Sequence, residues 1–151
     1  MNPQPLYFDD LTVGDTFISG THEVSAADIK RFAAEFDPQP FHLDDEAARG
    51  TMFGGLAASG WHTAAITMRL LLSGGGPKLA NGALGAGSEI EWKMPTRPGD
   101  ALHVESEVVE LVPSRSRAHL GTLVLRSRTI NQRGEVVQNQ TARLIVARRP
   151  A

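Results

Sequence analysis

The longest apolar run of the chain reads SGWHTAAITMRLLLS and occupies residues 59–73. Ser59 is a good N-cap, because its hydroxyl can accept a hydrogen bond from an unpaired amide of the first turn. Arg69 is the one charged residue in the run, so the predicted helix is apolar on nearly every side. A helix of this kind is usually buried centrally rather than laid on a surface. We therefore expect the rest of the chain to be built around it.

After this run the sequence changes to the period of β-strands. Alternating or β-branched segments predict strands at residues 83–94, 101–112, 118–130 and 135–147. The short links between them are rich in turn-forming residues, which favours an antiparallel meander of consecutive neighbours. Residues 15–24 alternate loosely and add a first strand. The predicted fold class is α+β, with a five-stranded antiparallel sheet around one long central helix.

Two shorter helices are predicted between the first strand and the long helix. Ser25 caps the first one, with Asp28 as its capping-box partner. Pro38 ends this helix, because the residue before a proline is pushed out of the α region. Residues 44–50 form the second, which has an acidic first turn and ends at Gly50. The residues between the two helices are predicted to be a loop.

Composition limits the class of protein. The 151 residues are 41% hydrophobic and 21% charged with a net charge of −2, which is typical of a single globular domain over residues 1–151 with its core at about 8–147. Without a basic excess, no nucleic-acid partner is expected. The absence of cysteine excludes disulfides, thiolate metal sites and cysteine nucleophiles. The first residues lack signal-peptide features and the run at 59–73 is too short to span a bilayer, so we expect a cytoplasmic protein with no membrane partner.

The residues FDPQPFH at positions 36–42 place a carboxylate, Asp37, and an imidazole, His42, five positions apart. Alone, an Asp before Pro is most often a helix or turn cap, and a loop His is most often solvated. Here the pair precedes Ser59 and Gly60, which open the long helix. A positioned acid/base pair close to a helix N-terminus is the minimum equipment for adding or removing water beside a carbonyl. We therefore predict a catalytic site formed by Asp37, His42 and Gly60.

Four pieces of the chain also carry a resemblance to a known family: Asp37-Pro38-Gln39-Pro40-Phe41-His42, Ala47, Ser59-Gly60 and Arg97-Pro98-Gly99-Asp100. They resemble the MaoC-like dehydratases, hot-dog-fold proteins that include the (R)-specific enoyl-CoA hydratases. The resemblance covers nearly the whole chain. It implies a sheet wrapped around the long helix, a homodimer or a dimer of dimers, and an acyl-CoA thioester substrate in a tunnel at the subunit interface. CoA is then part of the substrate, and no further cofactor is implied.

The sequence departs from the family pattern near the predicted site. Gln39 replaces the usual Asn, and Phe41 replaces an aliphatic residue. Ser59 replaces a His that commonly precedes the helix Gly, and Ala65 replaces a supporting Ser. The three residues expected to do the chemistry are all present. The departures therefore bear on substrate choice and rate more than on the class of reaction.

Hydration of a 2-enoyl thioester needs an activated water, a proton for C2 and stabilisation of the enolate oxygen. Asp37 and His42 are expected to hydrogen-bond one water, Asp37 taking a proton from it while His42 holds it and helps to protonate C2. The sequence leaves open which of the two is the base. The Gly60 N–H is a natural oxyanion donor, because first-turn amides are unpaired and the helix dipole favours negative charge. A glycine also lets the thioester approach the backbone closely.

Five further residues are predicted to contact the substrate. A purely structural role is the simpler explanation for some of them. Phe41 and Phe53 are expected to influence the depth of the acyl pocket. Ser59 is first an N-cap, and Trp61 is first a packing residue at the helix start. Arg97 is a candidate for a CoA phosphate, with solvation as the simpler account.

Two other functions stay open, and no metal is expected because the histidines lack partners at metal-ligand spacing. The hot-dog fold also hosts acyl-CoA thioesterases, which generally place a carboxylate on the central helix or a nearby loop. Residues 59–73 contain no Asp or Glu, which counts against that chemistry. A non-catalytic acyl-CoA-binding subunit would explain the departures at Gln39, Ser59 and Ala65 as lost activity.

Overall fold

The structure is a computed structural model that describes residues 4–151, so the first three residues of the predicted domain range lie outside it. The helices are a 3-10 turn at Phe8–Asp10, α1 (Ala26–Phe36), α2 (Pro40–Leu43), α3 (Asp45–Arg49) and α4 (Gly60–Leu70). The strands are β1 (Thr16–Ile18), β2 (His22–Glu23), β3 (Ala83–Trp92), β4 (Ala101–Pro113), β5 (Leu120–Ile130) and β6 (Val136–Ala147). None of the helices within residues 4–151 combines the length and hydropathy needed to cross a membrane.

The strands form one antiparallel sheet in the order β1-β4-β5-β6-β3, with β2 also paired to β4. The predicted antiparallel sheet with a central helix is confirmed, but the sheet has six strands rather than five. The predicted first strand at residues 15–24 is split into β1 and β2. Ser19 interrupts the ladder between them, because its hydroxyl accepts the Val104 N–H at 2.7 Å.

The predicted meander of four consecutive strands is wrong at its first strand. β4, β5 and β6 are consecutive neighbours, whereas β3 pairs with β6 at the far edge of the sheet. A tight hairpin between β3 and β4 would need a connection of about two to five residues. The link at residues 93–100 is longer and is held at the start of α4, where the Thr96 carbonyl accepts the Ala58 N–H at 2.9 Å.

The predicted boundaries of α1 are confirmed. The Ser25 hydroxyl caps the helix by accepting the Asp28 N–H at 3.0 Å. The Asp28 carboxylate, predicted to close a capping box, pairs with Arg31 at 2.6 Å. Asp37 ends α1 immediately before Pro38, as the proline predicted.

The segment after α1 is more helical than predicted. α3 is confirmed, with Asp44 as its N-cap and Gly50 after its last residue. The residues predicted to be a loop contain the four-residue helix α2, so His42 lies on a helical turn. Pro40 is the first residue of α2, where its fixed φ suits a helix and its missing N–H would have no partner.

α4 packs one side against the sheet and leaves the other exposed. Its buried residues are His62, Thr63, Ile66, Thr67 and Leu70. Trp61 and Met68, on the outer side, are 60% and 61% exposed. The predicted central helix is therefore present, but in the single chain the sheet covers only one side of it. A π-helical turn at Leu71–Gly75 follows, in place of the predicted extension to Ser73.

Buried apolar side chains hold α4 to the sheet. Ile66 and Leu70 belong to a cluster with Leu102 and Val104 of β4 and Ile29 of α1. Full burial of such a side chain contributes about 1.5–3 kcal/mol to folding. The cluster therefore fixes α4 relative to both α1 and the sheet, and it sets where the N-terminus of α4 lies.

Candidate functional site

Asp37 and His42 face one another across the turn between α1 and α2. Asp37 is the C-cap of α1, and His42 lies in the last turn of α2. His42 Nε2 is 3.3 Å from a carboxylate oxygen of Asp37, and the two side chains are 5% and 18% exposed. The structure thus brings the predicted pair together in a largely desolvated position.

The other ring nitrogen of His42 has a fixed partner. Nδ1 lies 2.6 Å from the carbonyl oxygen of Ala57. A carbonyl oxygen only accepts, so Nδ1 carries a hydrogen and donates it. A neutral His42 would then turn the lone pair of Nε2 toward the carboxylate of Asp37, which is repulsive. Nε2 is the ring nitrogen that faces the Asp37 carboxylate.

The surroundings of Asp37 favour its ionised form. Burial by itself raises the pKa of Asp37, but the Gln39 side-chain amide, the Ser59 hydroxyl and the nearby His42 outweigh it and lower the pKa below the ordinary 3.8. The Gln39 amide donates directly to the carboxylate. Asp37 is therefore negatively charged across the neutral range and can accept a proton. Gln39, noted above as a departure, contributes to this state.

The N-terminus of α4 adjoins the pair through Ser59. The Ser59 hydroxyl accepts the Trp61 N–H at 3.2 Å, so the predicted N-cap is present. The amides of His62 and Thr63 donate to the Ser59 carbonyl at 2.9 and 3.1 Å. The Gly60 N–H has no acceptor among residues 4–151. It is the first-turn amide left to meet an oxygen of a bound molecule.

Phe41 and Phe53 surround the imidazole of His42. The Phe41 ring meets it edge-on with centroids 4.6 Å apart, and the Phe53 ring lies 5.9 Å away. The two phenyl rings are 4.9 Å apart, and both are half-buried. The structure places both predicted pocket residues beside the predicted Asp37–His42 pair. Their contact with a substrate stays a prediction.

Arg97 holds the loop that leads into α4. Its guanidinium donates to the carbonyl oxygens of Gly55 at 2.9 Å, of Leu56 at 3.2 Å and of Phe53. This fixes Phe53 and the neighbouring Ala57 carbonyl against His42. Sequence reasoning named Arg97 for a different role, and its contact with a CoA phosphate stays a prediction.

Trp61 forms an exposed aromatic pair with Trp92 beside Gly60. The two indoles meet edge-on with centroids 5.2 Å apart, and Trp92 is 42% exposed. Trp61 as a substrate contact stays a prediction. Sequence reasoning did not single out Trp92, for which the one local signal is an aromatic residue near the end of a predicted strand.

His62, which the sequence left unassigned, packs between α1 and α4. Its ring stacks on Phe32 with centroids 4.7 Å apart. Burial is the main cause that lowers the pKa of His62 below the ordinary 6.5. His62 is therefore neutral at pH 7. Within residues 4–151 no group of three or more His, Asp or Glu side chains is placed to hold a metal ion.

Comparisons with known proteins place the chain among relatives. Residues 11–130 match the family model described as a MaoC like domain. The MaoC-like dehydratase from Rhodospirillum rubrum has a solved structure that is 62% identical, covers 97% of this chain and 99% of its own, and superposes with a TM-score of 0.93. The 3-hydroxybutyryl-CoA dehydratase of Methylorubrum extorquens is 38% identical over 76% of this chain and 71% of its own. The uncharacterized protein YdeM of Bacillus subtilis is 37% identical over 83% of this chain and 87% of its own.

Proposed function

Because the chain belongs to the MaoC-like domain family, we propose that it adds water to a 2-enoyl-CoA thioester, or removes water from the matching (R)-3-hydroxyacyl-CoA. The family resemblance and the hot-dog fold predicted from sequence are both confirmed. The family and its dehydratase relative support hydration and dehydration of CoA thioesters. One observation carries the finer proposal: a buried His42 and a partly buried Asp37, 3.3 Å apart, adjoin the N-terminus of α4.

The hydrogen bond of His42 to Ala57 supports the roles that we propose for the pair. With Nδ1 committed to the Ala57 carbonyl, Nε2 is the ring nitrogen left to face the reaction, and in the proposed roles it delivers a proton as the acid, while the ionised Asp37 serves as the base. Asp37 takes one proton from the water whose oxygen bonds to C3, and His42 gives its Nε2 proton to C2. Asp37 then holds a proton and His42 is neutral. Transfer of that proton across the 3.3 Å gap restores the starting state.

The Gly60 amide completes the proposed chemistry. As the proton reaches C2 last, negative charge builds on the thioester oxygen. A first-turn amide without a protein acceptor can donate to that oxygen, and removing such a donor typically slows an enzyme about 10²–10³-fold. The water, the acid, the base and the oxyanion donor are then all supplied without a cofactor beyond the CoA of the substrate.

A two-channel assay tests this function. The protein is incubated with crotonyl-CoA while enoyl absorbance and free thiol are followed together. We expect absorbance to fall without thiol release, and the product to be (R)-3-hydroxybutyryl-CoA by chiral analysis. Thiol release would instead identify a thioesterase. If neither signal appears with short, branched or dicarboxylic acyl chains, the remaining function is that of a non-catalytic acyl-CoA-binding protein.

We further propose that the working form is a homodimer joined along β3. β3 is an edge strand of the sheet, and its Leu84 is 66% exposed. Met68 lies on the outer side of α4 and is 61% exposed. Leu72 lies in the turn after this helix and is 77% exposed. A free strand edge beside exposed apolar side chains is typical of a surface that another copy covers.

Light scattering after size exclusion tests the dimer. We expect a mass near twice the 16.3 kDa of the chain. Leu84→Arg should shift the mass toward that of one chain, because a charge on the shared edge must be desolvated on pairing. The matched variant Val13→Arg, at an exposed apolar residue away from β3, should leave the mass unchanged. A wild-type mass of one chain would rule out the dimer.

A further inference from the structure

Gly60 lies against the indole of Trp92. A Cβ atom on Gly60 would be 2.6 Å from both Cδ2 and Cε2 of that ring, closer than any real contact. Steric exclusion by Trp92 therefore explains a glycine at this position independently of the close approach of a thioester. The indole of Trp92 occupies the space that a side chain at residue 60 would need.

Trp92 is itself held by a buried side chain. Its Nε1–H donates to Gln138 Oε1 at 2.9 Å, and the two residues are register partners on β3 and β6. Gln138 is fully buried. A fully buried glutamine is rare and costs free energy unless its polar atoms are paired. The bond to Trp92 satisfies the oxygen of its amide.

The nitrogen of the same amide forms a hydrogen bond with α4. Gln138 Nε2 donates to Thr67 Oγ1 at 3.2 Å, about two helical turns beyond Gly60. Thr67 is fully buried, and its hydroxyl also lies 2.6 Å from that of Thr129 and donates to the Thr63 carbonyl at 2.9 Å. Gly60, Trp92, Gln138 and Thr67 thus form a closed ring of contacts that starts and ends on α4.

We propose that Trp92 and Gln138 are positioning residues that set where the Gly60 amide lies relative to Asp37 and His42. The catalytic part of this proposal rests on the oxyanion role of Gly60 given above. Gln138 ties the middle of α4 to Trp92, and Trp92 bears on the start of the same helix. Loss of either residue lets the first turn of α4 shift while its apolar packing on the sheet remains.

A double-mutant cycle tests the packing without any activity measurement. Gly60→Ala, Trp92→Ala and the double variant are unfolded in urea beside the wild type. We expect Gly60→Ala to lower the free energy of unfolding strongly in the wild-type background. In the Trp92→Ala background the same change should have little effect, because the ring that excludes the added methyl group is absent. The same loss in both backgrounds would overturn the contact as the reason for the glycine.

The role of Gln138 is tested against a neighbour of the same type. Gln140 also lies on β6, is half-buried, and donates to Ser88 Oγ at 3.2 Å. We expect Gln138→Met to lower kcat about tenfold to a hundredfold with KM changed less than about twofold, since the contact acts on the oxyanion formed in the transition state. Gln140→Met should leave both constants within about twofold. A folded Gln138→Met protein with wild-type kcat would overturn the proposal.

A spectroscopic readout separates positioning from general destabilisation. In a Trp61→Phe background, Trp92 is the one tryptophan left. Gln138→Met should shift its emission, because the indole N–H loses its buried acceptor, and Gln140→Met should not. If the wild type hydrates no acyl-CoA, the proposed function fails by itself, and the urea cycle and the emission shift still decide whether Trp92 and Gln138 position Gly60. An unchanged emission would reject the link between them.

Discussion

Two histidine–carboxylate pairs among residues 4–151 differ in their surroundings. His103 Nε2 lies 3.0 Å from Glu105 on β4, closer than the 3.3 Å between His42 and Asp37. The side chains of His103 and Glu105 are 30% and 37% exposed, against 5% and 18% for His42 and Asp37. Water screens the first pair, and such exposed pairs are worth little.

The second difference lies in the partners of each pair. Glu105 is shared with Arg128, which lies 3.5 Å away. Asp37 instead receives neutral hydrogen bonds that lower its pKa, and Ala57 fixes the far nitrogen of His42. Distance alone therefore does not identify an acid/base pair. Burial of the imidazole and a fixed partner for its second nitrogen are what set the Asp37–His42 pair apart.

The largest expected effect separates the two pairs directly. Asp37→Asn and His42→Ala should each lower kcat/KM for crotonyl-CoA about 10²–10⁴-fold, the usual contribution of a positioned acid or base. The matched variants Glu105→Gln and His103→Ala should stay within about twofold of the wild type. Comparable losses in both pairs, measured on proteins of equal melting temperature, would contradict the distinction.

A smaller effect isolates the contribution of Ser59 to the Asp37–His42 pair. Ser59→Ala and Ser25→Ala each remove a helix N-cap and should each cost about 0.5–2 kcal/mol in urea unfolding. Only Ser59→Ala also removes a hydrogen bond that orients the Asp37 carboxylate, so only this variant should slow hydration, by about tenfold. Equal rates in the two variants would show that Ser59 acts as a cap alone.

The smallest effect is a dependence of stability on pH. The pKa of Asp37 is lower in the folded protein than the ordinary 3.8, so its ionised form stabilises the fold above about pH 4. That contribution is lost as the pH falls through the folded pKa. The difference in unfolding free energy between the wild type and Asp37→Asn should therefore be largest near neutrality and shrink below about pH 4. A difference that grows on acidification would reverse the assigned sign.

Local signals in the sequence were sufficient for the helix boundaries. Ser25, Pro38 and Ser59 act on amides or dihedral angles within three residues of themselves, so their effects can be predicted without the rest of the chain. The pairing of β3 with β6 could not be predicted in this way. It joins Trp92 to Gln138 across 46 positions, and only the path of the link at residues 93–100 decides it.

The same division applies to the candidate site. The spacing of Asp37 and His42 was enough to predict that the two side chains meet, and it was not enough to assign the base. The proposed assignment rests on the Ala57 carbonyl, fifteen positions from His42, and the position of a backbone oxygen cannot be predicted from local sequence. The contacts of Arg97 with three carbonyls are hidden for the same reason.

The free edge of β3 has a consequence for how the protein is measured. Alternate residues of this ten-residue strand present backbone donors and acceptors along the edge of the sheet, while the others pair with β6. With copies paired there, folding and association share one equilibrium, and mass action makes the folded fraction depend on how much protein is in solution. The melting temperature should then rise with protein concentration. In strongly diluted samples the specific activity should fall with time, although nothing in the site itself has changed.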